Sequence, residues 1–480
     1  MLGINFHSKR TRRAILFFTY GVMTVTTIVI SAIVLFLALG YRFDNNSGSF
    51  YQSGLIQFRS FPDDANVIID GKQQTIRTPS KLNVAAGEHD IVMRRDGYRD
   101  WNKRISIDEG QLLWLNYVRF IPNNITTTTV REFDAIADSL ASPNRRWIVL
   151  QPNTAQPGLV FADIRDEENP TFKTVAIPDT AYTKQDGATG TFELVEWNLG
   201  GRFLLIKHTV NNVQEFIRFD RENPSEAINV TAKLGAVSKV QFAGDNGDIV
   251  YALIGNELKR ASVTVNESSS LATNVTNFVV YRGDTVGVVS TKDNVQEVSL
   301  IKDNDVTAVK TYPSTGPLLI AVNNYFNQDY IAVSQGNRVE LIRDPANAPN
   351  TAESVHEVIT TEQPAEWLYF SNNGRMIVAQ HQATFTTFDL ELNKKTGHTF
   401  TTSQRVTEPF KWLDDYYLWT DLDGQLRIIE FDGANERQIT TVAQGQTVTL
   451  SDNAELLFSV GRNNASQRAT LQQSRLVLDE

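Results

Sequence analysis

The longest apolar stretch of the chain runs from Ala14 to Tyr41 and contains no charged side chain. A helix rises 1.5 Å per residue and a bilayer core is about 30 Å thick, so roughly 20 apolar residues suffice to span it. The stretch therefore predicts one transmembrane helix, residues 14–41, whose threonine and serine hydroxyls bond back to backbone carbonyls. A cleaved signal peptide is the alternative, but its apolar region is only about 7–15 residues long.

Basic residues beside this stretch predict its orientation. Four precede it, with no acid upstream: Lys9, Arg10, Arg12 and Arg13. Positive charges flanking a first membrane span tend to remain in the cytoplasm. We therefore predict a cell-membrane protein with a cytoplasmic tail (1–13), a helix that uses the lipid bilayer as its partner, and an extracytoplasmic remainder.

A polar segment at residues 42–52 is interpreted as a linker, and beyond it the apolar positions change period. They alternate with polar ones over short runs separated by turn residues, which is typical of half-buried β-strands. Four such runs are 55–58, 66–70, 90–93 and 105–107. Residues 53–122 are predicted to form a small all-β sandwich.

An ordered set of motif residues occurs within 53–122: Pro62, Ala65, Asp70, Gly71, Thr78, Pro79, Gly87, Gly97 and Tyr98. In this order they resemble the PEGA domain family. Asp64 departs from the pattern, because the family has glycine there. Gly71 and Gly97 suit turn positions that need a positive φ. Tyr98 is expected to cover one face of the sandwich.

The remaining chain, residues 123–480, repeats a polar turn followed by a strongly apolar strand. Eight such units are 142–150, 198–206, 244–251, 282–289, 327–333, 371–379, 414–419 and 451–458. Repeats of roughly 40–50 residues built only from strands are the signature of a β-propeller, because each blade buries its faces against its neighbours. We predict eight blades, with seven as the alternative. The last unit lacks a fourth strand, which residues 124–130 could supply.

Three of these turns, 142–145, 197–202 and 370–375, are similar to the Trp/Phe-Ser-Pro-Asp-Gly-Lys turn of TolB-type and WD-like bacterial propellers. The resemblance implies the propeller fold. It implies no single activity, because propellers host enzymes, receptors and scaffolds.

Composition narrows the classes of partner and chemistry. The formal net charge is −10. An acidic protein repels phosphate backbones, so no nucleic acid is expected as a partner. The chain contains no cysteine, which excludes disulfides and thiol chemistry.

No catalytic residue, cofactor or metal site is predicted. Six histidines occur, none at a metal-binding spacing: His7, His89, His208, His356, His381 and His398. The run 421–424 resembles the start of a calcium loop, but the distal glutamate of an EF-hand is absent and a hairpin turn explains it better.

Two polar or aromatic features admit a functional interpretation. Trp197, Trp367 and Trp412 could form an aromatic ring at the propeller mouth, although packing between blades is favoured. Threonine- and asparagine-rich segments, 124–129, 266–277 and 396–402, could offer hydrogen bonds to a polysaccharide, or could be solvated strand faces.

These features together favour a non-enzymatic, membrane-anchored protein. The propeller is expected to bind an envelope protein or a cell-wall polymer, and the PEGA-like module to act as a spacer or envelope contact. The alternatives are an envelope-polymer hydrolase or lyase with its site in the propeller channel, and a structural envelope protein that self-associates.

Overall fold

The computed structural model describes residues 9–38, 41–43, 50–265, 267–283, 285–313, 316–347, 355–463 and 465–478. It divides into two compact units, Met1–Asn123 and Asn124–Glu480.

The first unit begins with a single long helix, α1 (Lys9–Ala38). Its segment Ile15–Phe36 is long and apolar enough to cross a membrane, and none of it is buried against the protein. Threonine hydroxyls within it donate to carbonyls four residues earlier, for example Thr19 to Ile15 at 2.8 Å. The predicted helix extended to Tyr41, which is wrong, because Tyr41 lies in a strand.

A two-sheet sandwich follows the helix. Its strands are β1 (Tyr41–Phe43), β2 (Phe50–Phe61), β3 (Asn66–Ile69), β4 (Lys72–Arg77), β5 (Ser80–Ala85), β6 (Gly87–Arg94), β7 (Trp101–Ile107) and β8 (Leu112–Arg119). One sheet has the order β1-β2-β5, with β8 parallel to β2, and the other has the order β4-β3-β6-β7. Phe58, Met93 and Trp101 are among the side chains buried between them.

Strands β1 and β2 contain the described residues of the predicted linker, 42–52. The backbone of β1 pairs with the start of β2, Tyr41 opposite Gln52 and Phe43 opposite Phe50. Strand pairing supplies partners to backbone groups that a free linker would leave to water. The polar residues 44–49 lie outside the described residues.

The described residues of the second unit form eight four-stranded antiparallel sheets. Strand β9 (Thr127–Phe133) comes first in the chain but belongs to the last sheet. The strands of sheets one to four are β10 (Asp138–Ala141), β11 (Trp147–Gln151), β12 (Gly158–Asp163), β13 (Thr171–Ala176); β14 (Thr191–Trp197), β15 (Phe203–Val210), β16 (Val213–Asp220), β17 (Ile228–Asn229); β18 (Val237–Ala243), β19 (Asn246–Ile254), β20 (Glu257–Ser262), β21 (Ser268–Ala272); and β22 (Val275–Tyr281), β23 (Thr285–Lys292), β24 (Val295–Lys302), β25 (Asp305–Pro313).

Sheets five to eight repeat this arrangement. Their strands are β26 (Leu319–Tyr325), β27 (Gln328–Gln335), β28 (Arg338–Arg343), β29 (Val355–Thr360); β30 (Trp367–Phe370), β31 (Met376–His381), β32 (Thr384–Asp389), β33 (Lys394–Thr399); β34 (Lys411–Trp412), β35 (Tyr417–Thr420), β36 (Gln425–Glu430), β37 (Arg437–Thr441); and β38 (Val448–Leu450), β39 (Leu456–Arg462), β40 (Ala469–Arg475), followed by β9. The helical turns described in this unit are α2 (Val230–Leu234) and the 3₁₀ segments Asp179–Ala181, Pro224–Glu226 and Leu422–Gly424.

Successive sheets pack face to face as a β-propeller, and the predicted all-β fold is confirmed. The second strand of each sheet is the apolar run recognised in the repeats, since it is buried on both faces. Apolar clusters lie between neighbouring sheets; Phe161 and Phe219, for example, stack at 5.9 Å between sheets one and two. Ile148 and Phe458 share a further cluster that joins the first sheet to the eighth.

Strand β9 closes the ring. It pairs antiparallel with β40, and the Thr127 and Ser474 hydroxyls are hydrogen-bonded at 2.8 Å. The strand sought at residues 124–130 is thus found at Thr127–Phe133. Pairing the two ends of the repeat region removes the sheet edges that an open array would expose.

Candidate functional site

The ring has two unlike ends, because all eight first strands run in the same direction. The turn end carries the turns between the first and second strands of each sheet, such as the segment after Ala141. The loop end carries the segments that connect one sheet to the next, such as the segment before Lys411.

Side-chain amides tie neighbouring turns together at the turn end. Asn144 and Asn198 lie in such turns and Asn323 lies near the end of β26, and each amide reaches the backbone of the next sheet's turn. Three donors and their carbonyl acceptors are Asn144 Nδ2 to Gly200 (2.7 Å), Asn198 Nδ2 to Asp245 (2.8 Å) and Asn323 Nδ2 to Gly374 (2.6 Å).

Two arginines link turns of sheets that are not neighbours. Arg145 Nη2 donates to the Leu413 carbonyl at 3.1 Å, and Arg282 Nη2 donates to the Asn372 carbonyl at 3.2 Å. Burial raises the pKa of the Asp415 carboxyl in this region, while the charges of both arginines oppose that rise. Two hydrogen bonds therefore join turns of non-neighbouring sheets at this end of the ring.

The first strands of the sheets form what we call the inner wall of the ring. Register shifts in the first strands of sheets two to four place polar side chains along this wall. Shifts occur next to Glu196, Lys239 and Asn277. A bulge breaks the ladder locally and re-aims a side chain. Lys239 Nζ donates to Asn277 Oδ1 at 3.0 Å and to the Phe278 carbonyl at 2.6 Å, and burial lowers the pKa of its amine.

Two carboxylates in this wall have raised pKa values. Burial raises the pKa of Glu196 to about 7, although its Oε1 accepts a bond from Phe242 N at 2.5 Å. Burial is also the main cause of the raised pKa of Asp138, whose carboxylate accepts from the backbone of Leu194 at 3.1 Å. Both groups therefore satisfy backbone donors of the next sheet.

A cavity of about 510 Å³ opens at the loop end beside sheets five and six. Thr384, Thr386, Thr399 and His381 line it from sheet six. Thr384 and Thr399 are cross-strand partners, and their hydroxyls bond at 3.0 Å. We name this the threonine cavity; it lies next to the threonine-rich segment 396–402 recognised in the sequence.

A second cavity of about 380 Å³ lies at the loop end beside sheets seven and eight. Its lining includes Arg405, Glu408, Lys411 and the edge of the nearly buried Trp419. Lys411 Nζ bonds Glu408 at 3.0 Å and lies 5.5 Å from the Trp419 ring centroid. Its lining mixes polar and apolar side chains and carries charges of both signs.

The three tryptophans singled out in the sequence pack between sheets. Trp197 is buried and its Nε1 donates to the Leu140 carbonyl at 3.2 Å. Trp367 and Trp412 both pack against the apolar cluster of sheets six and seven. No aromatic ring at the mouth is formed by these three residues.

The predicted motif residues of the first unit form its turns and part of its core. Thr78 Oγ1 accepts from Ala65 N at 2.9 Å and bonds Ser60 Oγ at 2.6 Å. Tyr98 is buried in the sandwich. Pro62 and Pro79 follow cis peptide bonds, and Gly71, Gly87 and Gly97 have φ of 76°, 136° and 85°.

Asp70 occupies the turn between β3 and β4 in this unit. Its carboxylate accepts from Asp90 N at 2.9 Å and lies 2.7 Å from His89 Nδ1. Its pKa is lowered, first by the hydrogen bond from His89.

Glu196, Asp138 and Lys239 were missed in the sequence, although each is a charged residue within a first strand. Among the described residues no cluster of His, Asp or Glu could hold a metal ion.

The run 421–424 forms a turn between β35 and β36, as expected. Helix α1 contains the four basic residues Lys9, Arg10, Arg12 and Arg13. Their place in the helix does not test which side of the membrane they face, so the orientation stays a prediction.

Comparison with known proteins confirms the resemblance of the first unit. Residues 53–119 match the PEGA domain. No curated protein sequence matches the chain.

Solved structures similar to the chain include β-propellers. The C-terminal WD40 domain of Sif2 is 9% identical, with 74% of this chain and 99% of that chain covered and a TM-score of 0.49. An oligogalacturonate lyase in complex with manganese is 10% identical (72% and 98% covered, TM-score 0.38). An uncharacterized protein from Listeria monocytogenes is 12% identical (67% and 94%, TM-score 0.39). These similarities concern the fold only.

Proposed function

We propose that this chain is a membrane-anchored, extracytoplasmic binding protein whose propeller holds a cell-wall polymer at its loop end. Helix α1 is the anchor, with Lys9 to Arg13 on the cytoplasmic side. The PEGA domain is the spacer between the membrane and the ring. The propeller supplies the binding surface and performs no catalysis.

The threonine cavity is the observation that carries the proposal. Its volume of about 510 Å³ lies in the range of ligand pockets, roughly 300–1,000 Å³. Threonine hydroxyls both donate and accept hydrogen bonds, which matches the hydroxyl groups of a glycan. At the opposite end of the ring, Arg145 and Arg282 join turns of non-neighbouring sheets, which favours the loop end as the binding surface.

The raised pKa values of Asp138 and Glu196 do not favour the alternative that the propeller is an enzyme. Asp138 and Glu196 both accept hydrogen bonds from backbone N–H groups of the adjacent sheet. A general acid must lie within hydrogen-bond distance of the substrate atom that receives its proton. These two groups are instead engaged in joining the sheets.

Removing two hydroxyls from the cavity tests this function. The double variant Thr386→Val/Thr399→Val keeps side-chain shape and takes away hydrogen bonds worth about 1 kcal/mol each. We expect its affinity for purified peptidoglycan sacculi, measured by co-sedimentation of detergent-solubilised protein, to fall about thirtyfold.

Thr174→Val is the matched control, because Thr174 is exposed on a fourth strand far from the cavity. It should sediment like the unmodified protein. Failure of the unmodified protein to bind sacculi would contradict this choice of polymer, and equal binding by the double variant would contradict the site.

A further inference from the structure

The two outer faces of the PEGA sandwich differ in polarity. On the face formed by β2, β5 and β8, Leu112 is 43% exposed and Trp114 is 39% exposed. Leu55 on β2 is the direct partner of Leu112. We name this surface, formed by Leu55, Leu112 and Trp114, the apolar face.

Charge reinforces this difference. Strands β2, β5 and β8 contain no acidic residue between positions 53–61, 80–85 and 112–119. Their charged residues, Arg59, Lys81 and Arg119, are all basic. The other sheet presents both signs on its outer face, including an ion pair between Arg104 and Glu88 at 2.7 Å.

Strand register places this sheet beside the membrane. Only two residues separate the end of α1 at Ala38 from β1, and Tyr41 pairs with Gln52. Beyond Gln52, β2 continues nine further residues to Phe61, which is about 30 Å at 3.3 Å per residue.

The direction of β2 then excludes an upright sheet. Because β2 is antiparallel to β1, it runs back past Tyr41 towards the side from which the helix arrives. If β1 rose along the membrane normal, this extension would drive Arg59 deep into hydrocarbon, which is costly for a charged side chain. The strands must therefore lie along the membrane surface.

We propose that the apolar face of the PEGA domain lies on an anionic lipid surface, the same bilayer that anchors α1. Tryptophan is enriched at membrane interfaces because its ring is amphipathic. Arg59, Lys81 and Arg119 supply attraction to acidic headgroups. This inference rests on the proposed membrane anchorage, and it assigns the domain a lipid contact in addition to its role as spacer.

The absence of cysteine makes a direct test possible. Asn116→Cys introduces one thiol beside Trp114 on the apolar face, and Ser106→Cys introduces one on the exposed outer face of the other sheet. Each full-length variant is labelled with an environment-sensitive fluorophore and placed in vesicles of phosphatidylcholine and phosphatidylglycerol that carry headgroup nitroxide lipids. We expect strong quenching at Asn116→Cys and several-fold weaker quenching at Ser106→Cys.

A third label, Val29→Cys in the middle of α1, separates the two proposals. Quenching of Val29→Cys by deep acyl-chain nitroxides, together with equal weak quenching of both PEGA labels, overturns the lipid contact and leaves the anchor intact. No quenching at Val29→Cys overturns the anchor itself.

Two further changes establish which residues make the contact. Leu112→Ser/Trp114→Ser in the Asn116→Cys protein should reduce quenching to the Ser106→Cys level. Vesicles of phosphatidylcholine alone should also reduce it, because they lack the acidic headgroups. Unchanged quenching in the double variant would contradict a contact through the apolar face.

Discussion

At the scale of single residues, charged side chains of the first strands bind backbone groups of the following sheet. Glu196 accepts the Phe242 N–H group, and Lys239 donates to the Phe278 carbonyl of the following sheet. A backbone group left without a partner in a buried wall would cost about 1–3 kcal/mol. These side chains therefore join neighbouring sheets.

Glu196 should make the stability of the ring depend on pH. Its pKa is about 7 in the folded chain against an ordinary 4.5, so the folded state holds the proton more tightly. The free energy of unfolding then falls as pH rises from about 4.5 to about 7. Discounted for partial exposure, the loss is on the order of 2 kcal/mol.

Glu196→Gln removes this titration and can still accept the Phe242 N–H bond. We expect its thermal midpoint to exceed that of the unmodified protein by a few degrees at pH 8 and to match it at pH 4.5. The exposed Glu267→Gln serves as the control at both pH values. A Glu196→Gln midpoint that is no higher at pH 8 would refute the stabilising effect of neutralisation.

Residue-level contacts were the least predictable part of the site. The glycines of the Asp70-Gly71 and Asp96-Gly97 turns could be foreseen, because a positive φ is a local property of the chain. Arg145 and Leu413 lie 268 positions apart, and no local pattern brings them together. The threonine cavity likewise required the packing of sheets, although segment 396–402 had been noted as threonine-rich.

At the scale of elements, the fold was predictable where strand patterns are local. All eight apolar runs after polar turns are second strands, because a strand buried on both faces needs a continuous apolar sequence. The outer strands, such as β13 and β33, are half exposed and carry no such signal. Strand β1 was missed because its three residues stand beside a polar segment whose sequence resembles a linker.

A disulfide between β9 and β40 should stabilise the closed ring. Thr128 and Gln473 are direct partners, at the separation that a disulfide requires. Linking residues so distant in sequence should raise the free energy of unfolding by about 4–5 kcal/mol. We expect Thr128→Cys/Gln473→Cys to unfold at a higher temperature when oxidised than when reduced.

A second pair provides the comparison. Glu297 and Thr311 are direct partners within one hairpin and are both exposed. Glu297→Cys/Thr311→Cys closes a short loop, so its gain should be smaller, about 3 kcal/mol. A β9–β40 pair that fails to oxidise, or that leaves the thermal midpoint unchanged, would argue against closure by β9.

At the scale of the whole molecule, the predicted topology puts the sandwich and the propeller outside the cytoplasm. The four basic residues before α1 are the basis of this orientation. Asp186→Cys, in an exposed loop of the ring, should react with a membrane-impermeant maleimide in intact spheroplasts. Ser8→Cys should react only after lysis, and the opposite pattern would reverse the orientation.

The pairing of β9 with β40 has a consequence for how the protein folds during its synthesis. Thr127 and Ser474, which bond across it, lie 347 positions apart. Synthesis proceeds from the N-terminus, so β9 emerges long before its partner exists. The seven intervening sheets can form in succession, but the ring stays open until the last strand is delivered. Any truncated product therefore retains a vacant strand position beside β9, an unsatisfied edge that quality-control proteases and chaperones could recognise.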